Sequence, residues 1–352
     1  MFNSNFLRKM TKRRFNLRNV AKFGVACFAV SMMFAGCKEK PTETTQQPPN
    51  NEGVDPGPSP TWTLSSSSFD NILIGVAKNE NYFVVGDSYG NMAYSSSGAD
   101  WTKIPRKFLD GADHIGFGGG RLVSVGDNTI LYSDDGIGWV AAATNPFGLS
   151  DNISCVTYGN GKWVVGTENV ANQKFAYSND GANWTLVTQT IFEDGIYGIA
   201  FGGGKFVAVG CDDAEKYAKM AYSTDGINWT AVTDRKLVGH AFAITWGGDK
   251  FVAVGTGNMA YSKDGINWTQ VNSPVFIADA SAGYSYGFDC IAFGGDKFIA
   301  GGQIMVYSKD GIRWSKVTDN KLINTYDITY GNNKFIAVGQ GANDKGSVVY
   351  SN

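Results

Sequence analysis

The chain has 352 residues, long for one ordinary domain, with a formal net charge of −2 and five cysteines. Seven basic residues and no acid lie within 1–36, so the rest of the chain carries −9, which excludes a nonspecific nucleic-acid binder and attraction to an anionic lipid surface. No two cysteines have metal-ligand spacing, and neither a metal nor a cofactor is expected.

Residues 1–36 differ in kind from the rest of the chain. Arg8, Lys9, Lys12, Arg13, Arg14, Arg18 and Lys22 precede an apolar run, 23–35, that is short for a membrane span. The run ends in Phe34-Ala35-Gly36-Cys37. This resembles the bacterial lipobox, in which small residues precede the cysteine that is lipidated and becomes the mature N-terminus. The resemblance implies a lipoprotein signal peptide over 1–36 and a palmitate-bearing Cys37. It also implies a membrane-anchored, extracytoplasmic protein of the bacterial cell envelope, at the outer membrane or the cell surface. Without the resemblance, the segment reads as an ordinary secretory signal or a single anchoring helix. The signal is complete from either Met1 or Met10.

Residues 38–60, KEKPTETTQQPPNNEGVDPGPSP, lack aromatic residues and are rich in Pro, Gly, Thr and Asn. Such a composition cannot bury enough apolar surface to fold, so 37–59 reads as the lipidated cysteine and a flexible tether.

From residue 60 to 352 one skeleton recurs. Its clearest copy, 199–230, reads IAFGGGKFVAVGCDDAEKYAKMAYSTDGINWT. Ile199 to Phe201 form a first strand, and Gly202 to Gly204 a tight turn, because glycine enters positive φ without steric cost. Phe206 to Val209 form a second strand and Met220 to Ser223 a third. Asp225-Gly226 is a hairpin signal that leads to a fourth strand at Asn228-Trp229-Thr230. Four short strands in a period of roughly 40–45 residues are the signature of a propeller blade. The phrase joining the third strand to the fourth recurs as YSSSGADW, YSDDGIGW, YSNDGANW, YSKDGINW and YSKDGIRW. It supplies Asp135, Asp180, Asp225, Asp264 and Asp310, with Ser97 in the aspartate position of the first copy. It also supplies Trp101, Trp139, Trp184, Trp229, Trp268 and Trp314. The aspartates are expected to accept N–H bonds within their own turns, and the tryptophans to pack between blades. One ligand does not need an identical group at six places around a rim, so both sets read as structural.

First-strand cores at Ile74, Ile115, Val156, Ile199, Ile244, Ile291 and Ile328 count seven blades. The last copy stops at Tyr350-Ser351-Asn352, before its tryptophan strand, and the missing strand stands at the other end as Thr61-Trp62-Thr63-Leu64. The fold expected is therefore all-β: a seven-bladed β-propeller of four-stranded blades, closed by the N-terminal strand completing the last blade. Cys155 and Cys290 share one register in distant blades, so they and Cys211 read as small buried thiols.

In such a fold the blade-to-blade loops share a face with the loops between second and third strands, and the Asp-Gly turns lie opposite. The first class varies in sequence here, and variation gathers on the face that function usually uses. The longest such loop, 272–289, holds Phe276, Tyr284, Tyr286 and Phe288, aromatic contact groups for a glycan or a protein, or else a cover over the end of the ring. Arg106, Arg235 and His240 can also reach this face. Asp212, Asp213 and Glu215 read as a solvated surface rather than a Ca²⁺ site. His114 and His240 read as rim residues.

The Ser-x-Asp-Gly-x-x-Trp phrase resembles the Asp-box, or BNR, repeat of sialidases and related propellers, though that family's box usually places a residue between Asp and Gly. The resemblance spans 60–352 and implies the fold. Sialidases hold the substrate carboxylate with three arginines, and the mature chain has only Arg106, Arg121, Arg235 and Arg313. Arg121 and Arg313 fall on the turn side, so sialidase activity is not expected. Related propellers that assemble membrane complexes use the same repeat as a docking surface, an analogy of fold. The function expected is a membrane-anchored binding or scaffold module for a protein or glycan, without nucleic acid. The alternative is a glycosidase or a lectin. A glycosidase needs convergent carboxylates. A lectin needs aromatic platforms repeated in several blades, and the loop aromatics gather in one.

Overall fold

In the computed structural model the described residues are 57–105, 112–168, 174–211, 217–279, 284–285, 287–342 and 344–351. The chain divides into two compact units, Met1–Glu52 and Gly53–Asn352. The first unit, with the expected signal, Cys37 and most of the expected tether, lies outside the described residues.

The second unit is a seven-bladed β-propeller of four-stranded antiparallel sheets. The fourth blade shows how the repeat builds it. Its strands are Gly195–Gly202, Lys205–Cys211, Lys219–Ser223 and Thr230–Ala231, each paired antiparallel with the next. The first two strands are apolar nearly throughout because both faces of the sheet are covered by neighbouring blades. The fourth strand is short and exposed, and Trp229 sits just before it, buried.

The hydrophobic residues do not form one central core. They gather into seven clusters, each shared by two adjacent blades. One cluster joins Val76 and Phe83 of the first blade to Ile336 and Val338 of the seventh, so the ring is closed by the same packing that holds its other interfaces. The tryptophans belong to these seams. Trp229 stacks on Phe175 of the preceding blade, with centroids 4.1 Å apart and planes within 9°. The last blade has the strand order Trp62–Leu64, Gly346–Ser351, Lys334–Gln340, Asn324–Gly331, so the strand nearest the N-terminus supplies its outer edge.

One register differs from the sequence reading. In the first blade the residue that matches Ile199 is Val76, not Ile74. Ile74 is the extra residue of a β-bulge between Leu73 and Gly75. Five other first strands carry a bulge at the same level, at Ser154, Tyr197, Phe242, Asp289 and Tyr326. A bulge adds one residue and shifts the apolar phase, which is why apolarity alone misplaces the core residue here.

Candidate functional site

The two ends of the ring are built differently. On the turn face, the Ser-x-Asp-Gly corners are closed circuits. Ser223 Oγ donates to Asp225 Oδ1 at 2.9 Å and accepts from the Gly226 N–H at 2.9 Å. The same Asp225 oxygen accepts from the N–H groups of Ile227 and Asn228, and its other oxygen from Asn228 Nδ2. Gly226 holds φ at +74°, and a Cβ there would press on Val164 of the preceding blade at 2.8 Å, so only glycine fits. Burial alone would raise the Asp225 carboxyl, but the bonds from Asn228, Ile227 and Ser223 outweigh it and hold the group down at about 2. Asp180, Asp264 and Asp310 sit in the same balance and are lowered too. Asp135 is lowered chiefly by the Ile137 N–H. In the first copy Ser97 Oγ accepts from the Ala99 N–H at 3.2 Å, a single weaker bond. These carboxylates are spent on their own turns. Trp101, Trp139, Trp184, Trp268 and Trp314 each donate their indole N–H to the turn glycine's carbonyl.

The variable face carries the other candidates. The loop 272–289 contains a 3₁₀ turn, Pro274–Phe276, and a small hairpin of Ile277–Asp279 with Tyr284–Ser285. Phe276 and Phe288 are 3% and 0% exposed and meet edge to face at 5.4 Å in the seam between the fifth and sixth blades. Phe276 and Phe288 are therefore not contact groups for a ligand, which corrects that part of the expectation for this loop. Their spacing brackets the hairpin, and the hairpin is what lets them fold back into the core. Tyr284 lies in the hairpin opposite Asp279. Tyr286, Arg106, Asp212, Asp213 and Glu215 lie outside the described residues. Arg235 and His240 are half-buried. The His240 ring meets Phe242 at 6.2 Å, and Phe242 meets Tyr197 at 5.7 Å, both edge to face. These two aromatics are bulge residues of adjacent blades, so the bulges bring a small aromatic group to the ring's mouth that spacing alone does not reveal.

Acids exceed bases along the blade-to-blade loops. These loops hold Asp70, Asp113, Asp151, Glu193, Asp194, Asp234 and Asp319, of which Asp113 is buried and Asp70, Asp151, Asp234 and Asp319 are paired with Lys103, Lys174, Lys236 and Lys321. Leu149 and Ile323 stand out from this face, 94% and 48% exposed. Among the described residues no group of three His, Cys, Asp or Glu side chains could hold a metal ion. Cys155, Cys211 and Cys290 are buried thiols, and burial pushes the Cys155 thiol up to about 12.

A third feature lies on the axis. The first strands converge on a cavity of about 410 Å³. Six of them end in an aromatic residue followed by glycine: Phe117-Gly118, Tyr158-Gly159, Phe201-Gly202, Trp246-Gly247, Phe293-Gly294 and Tyr330-Gly331. Each ring from Tyr158 to Tyr330 lies over the glycine of the blade before it, where any Cβ would overlap the ring. The same rings meet their own second strands, as Phe201 meets Phe206 at 4.7 Å and Trp246 meets Phe251 at 4.6 Å. All six are partly exposed, Phe117 at 37%. In the first blade the position belongs to Lys78, whose Nζ donates to the carbonyls of Asn79 and Glu80 and lies 5.4 Å from the Phe83 ring centroid. Along the sequence these segments show only as Gly-rich turns. The signal that could have found the collar is the recurring pattern aromatic-Gly-x-x-basic.

Asp327 also lines the cavity. Its carboxyl accepts from the Val76 N–H of the first blade and from its own neighbour Ile328, both at 2.8 Å. Part of the residue borders the cavity, but the carboxyl is enclosed by protein, and burial pushes it up to about 7 against those two bonds.

No family model matches the chain, and no curated protein matches it. Among solved structures it is similar to YCF48 bound to D1 peptide, at 17% identity and a TM-score of 0.60 over 84% of this chain and 99% of that one. It is also similar to virginiamycin B lyase from Staphylococcus aureus, solved in a catalytically inactive form with quinupristin, at 11% identity and a TM-score of 0.62 over 82% of this chain and 99% of that one. A computationally designed protein matches at 12% identity and a TM-score of 0.54 over 84% and 100%. At these identities the likeness is one of fold alone.

Proposed function

We propose that the protein is a lipid-anchored, extracytoplasmic binding or scaffold module that holds a protein partner on its variable face. The observation that carries this reading is the unequal use of the two rims. The Asp-Gly turns spend their polar groups internally, whereas the opposite face carries excess acid, the inserted hairpin and the exposed Leu149 and Ile323. Solitary apolar side chains in a polar rim are suited to seat in a partner's pockets, and the acidic surround favours a basic surface around them. The fold supports such a role, since YCF48 of the same architecture was solved with a peptide bound. The anchor rests on the resemblance around Cys37 and on the Pro-rich tether after it.

Two measurements test it. A photo-crosslinking residue placed at Leu149 or Ile323 is expected to trap one discrete envelope protein, and the same residue at Ile312 on the turn face is not. Equal trapping from both faces overturns the assignment of the face. Cys37→Ser is expected to abolish palmitate labelling and move the protein from the membrane to the soluble fraction. Unchanged labelling removes the anchor from the proposal.

A further inference from the structure

The outer strand of the seventh blade is entered from one end of the ring. In the fourth blade the third strand ends at Ser223, the Asp-Gly corner follows, and Trp229 leads into the outer strand. In the seventh blade Ser351 holds the place of Ser223 and Trp62 that of Trp229. Tyr350 pairs with Thr63 as Tyr222 pairs with Thr230, and Ser351 Oγ accepts from the Phe335 N–H. The place of a seventh corner thus lies between Ser351 and Trp62, and residues 57–61 approach through it, on the turn face.

The approach is seated on the neighbouring blade. The Gly57 carbonyl accepts from Tyr307 Oη at 3.0 Å, and a Cβ on Gly57 would stand 3.1 Å from Lys309, the residue after Ser308 in the sixth corner. Tyr307 is itself buried in the seam between the sixth and seventh blades. Ser59 and Pro60 are half-buried, and the rings of Pro58 and Pro60 remove two φ rotations. The chain therefore takes its direction from the turn face as far back as residue 57.

Charge is divided in the same sense. The inner hairpins and Asp-Gly corners of the turn face carry acids and bases in equal number, with a cation opening the second strand of every blade from the second to the seventh. The loops of the variable face carry acid in excess. An anionic lipid surface repels the second face more than the first.

We propose that the ring is held with its turn face toward the lipid, so that the variable face and its partner look away from the membrane. This rests on the anchor at Cys37 proposed above. A flexible tether of about 20 residues, as the composition of 38–56 implies, has an r.m.s. reach of about 25 Å. The second strand of the seventh blade, Lys334–Gln340, already spans about 20 Å between the two faces. Turning the variable face to the bilayer draws the tether around the outside of the blade, beyond its mean reach, and brings the excess acid to the lipid.

The test is energy transfer from the lipidated full chain to acceptor-labelled lipid, in vesicles of phosphatidylethanolamine and phosphatidylglycerol. The donor dye is carried on Thr224→Cys or Lys263→Cys on the turn face, and on Leu149→Cys or Ile323→Cys on the variable face. All four positions are exposed, and Cys155, Cys211 and Cys290 are buried. Transfer from the turn-face positions is expected to exceed that from the variable-face positions by about twofold or more, given the short reach of the tether. Cys37→Ser in the same proteins is expected to abolish transfer from all four. Protein that floats with the vesicles but transfers equally from both faces, or more from Leu149→Cys and Ile323→Cys, overturns the orientation and leaves the anchor standing. Protein that does not float with them removes the anchor, and the orientation with it.

Discussion

Asp225 and Asp327 are both carboxylates bonded to backbone N–H groups, yet they move in opposite directions. Asp225 accepts from two N–H groups, an amide and a hydroxyl at an exposed corner, and the sum of those bonds exceeds the cost of partial burial. Asp327 has two N–H donors in an enclosed wall, and burial wins. The consequences for stability have opposite signs. The five corner aspartates have lowered values, so their stabilisation is complete above the ordinary carboxylate value near 3.8 and is lost as pH falls through about 2 at Asp225. Asp327 has a raised value, so its contribution is complete below 3.8 and is lost as pH rises through about 7. The thermal midpoint should therefore peak near pH 4, fall steeply on the acid side, decline between about pH 4 and 7, and level off above that. Asp327→Asn, which cannot ionise, should flatten the decline between about pH 4 and 7 and leave the acid limb in place. Scanning calorimetry of both proteins across pH 2–9 checks this, and parallel declines above pH 5 would assign them to another group.

At the scale of the blade, what the sequence shows plainly is what repeats. The Ser-x-Asp-Gly-x-x-Trp phrase marks the outer hairpin because its geometry admits few residues: a hydroxyl and a carboxylate to gather N–H groups, a glycine at positive φ, and an indole to seal the seam. The blade count and the closing strand come from that phrase and its one absence. What misleads is local phase. The bulge at Ile74 shifts the alternation by one residue, so an apolar triplet at Ile72 to Ile74 reads as the core that Val76 and Ala77 supply. Likewise Phe276 and Phe288 lie in a stretch of polar composition, but the hairpin between them pairs its own backbone and lets both rings return to the seam. The collar escapes a sequence reading for a different reason. Its residues are consecutive with turn glycines and hide inside a turn signal, and their convergence depends on seven blades meeting at one axis. Periodicity along a chain reports neighbours in a sheet and is silent about neighbours around a ring.

The whole ring depends on one strand that is far in sequence from the blade it completes. Trp62 is 2% exposed and packs with Tyr307, Val317 and Leu322 of the sixth blade and with Val349 of the seventh, the position that the outer-hairpin tryptophans take elsewhere. Its strand pairs Trp62 with Ser351, Thr63 with Tyr350 and Leu64 with Val349. Without it the edge of Gly346–Ser351 is open and the seam beside it loses its seal. The seam on the other side of the blade is held by different contacts, the Val76 N–H to Asp327, Asn332 Nδ2 to the Ser96 carbonyl at 3.1 Å, and the cluster around Ile336 and Val338. Closure is therefore made twice, once by strand exchange and once by ordinary blade packing, and only the first depends on residues 61–64. Trp62→Ala should cost about 3–5 kcal/mol, as expected for removing a large buried ring, against a total of about 5–15 kcal/mol for a typical domain. Leu64→Ala, on the same strand but 54% exposed, should change stability by no more than about 0.5 kcal/mol. Deleting residues 58–66 should exceed the tryptophan variant, because it also opens the strand edge, and should make the protein prone to associate through that edge. Denaturant unfolding of the three variants, with size-exclusion chromatography of the deletion, checks the ordering. A deletion as stable as the parent would mean that the second set of contacts closes the ring alone, and that the seventh blade holds with three strands.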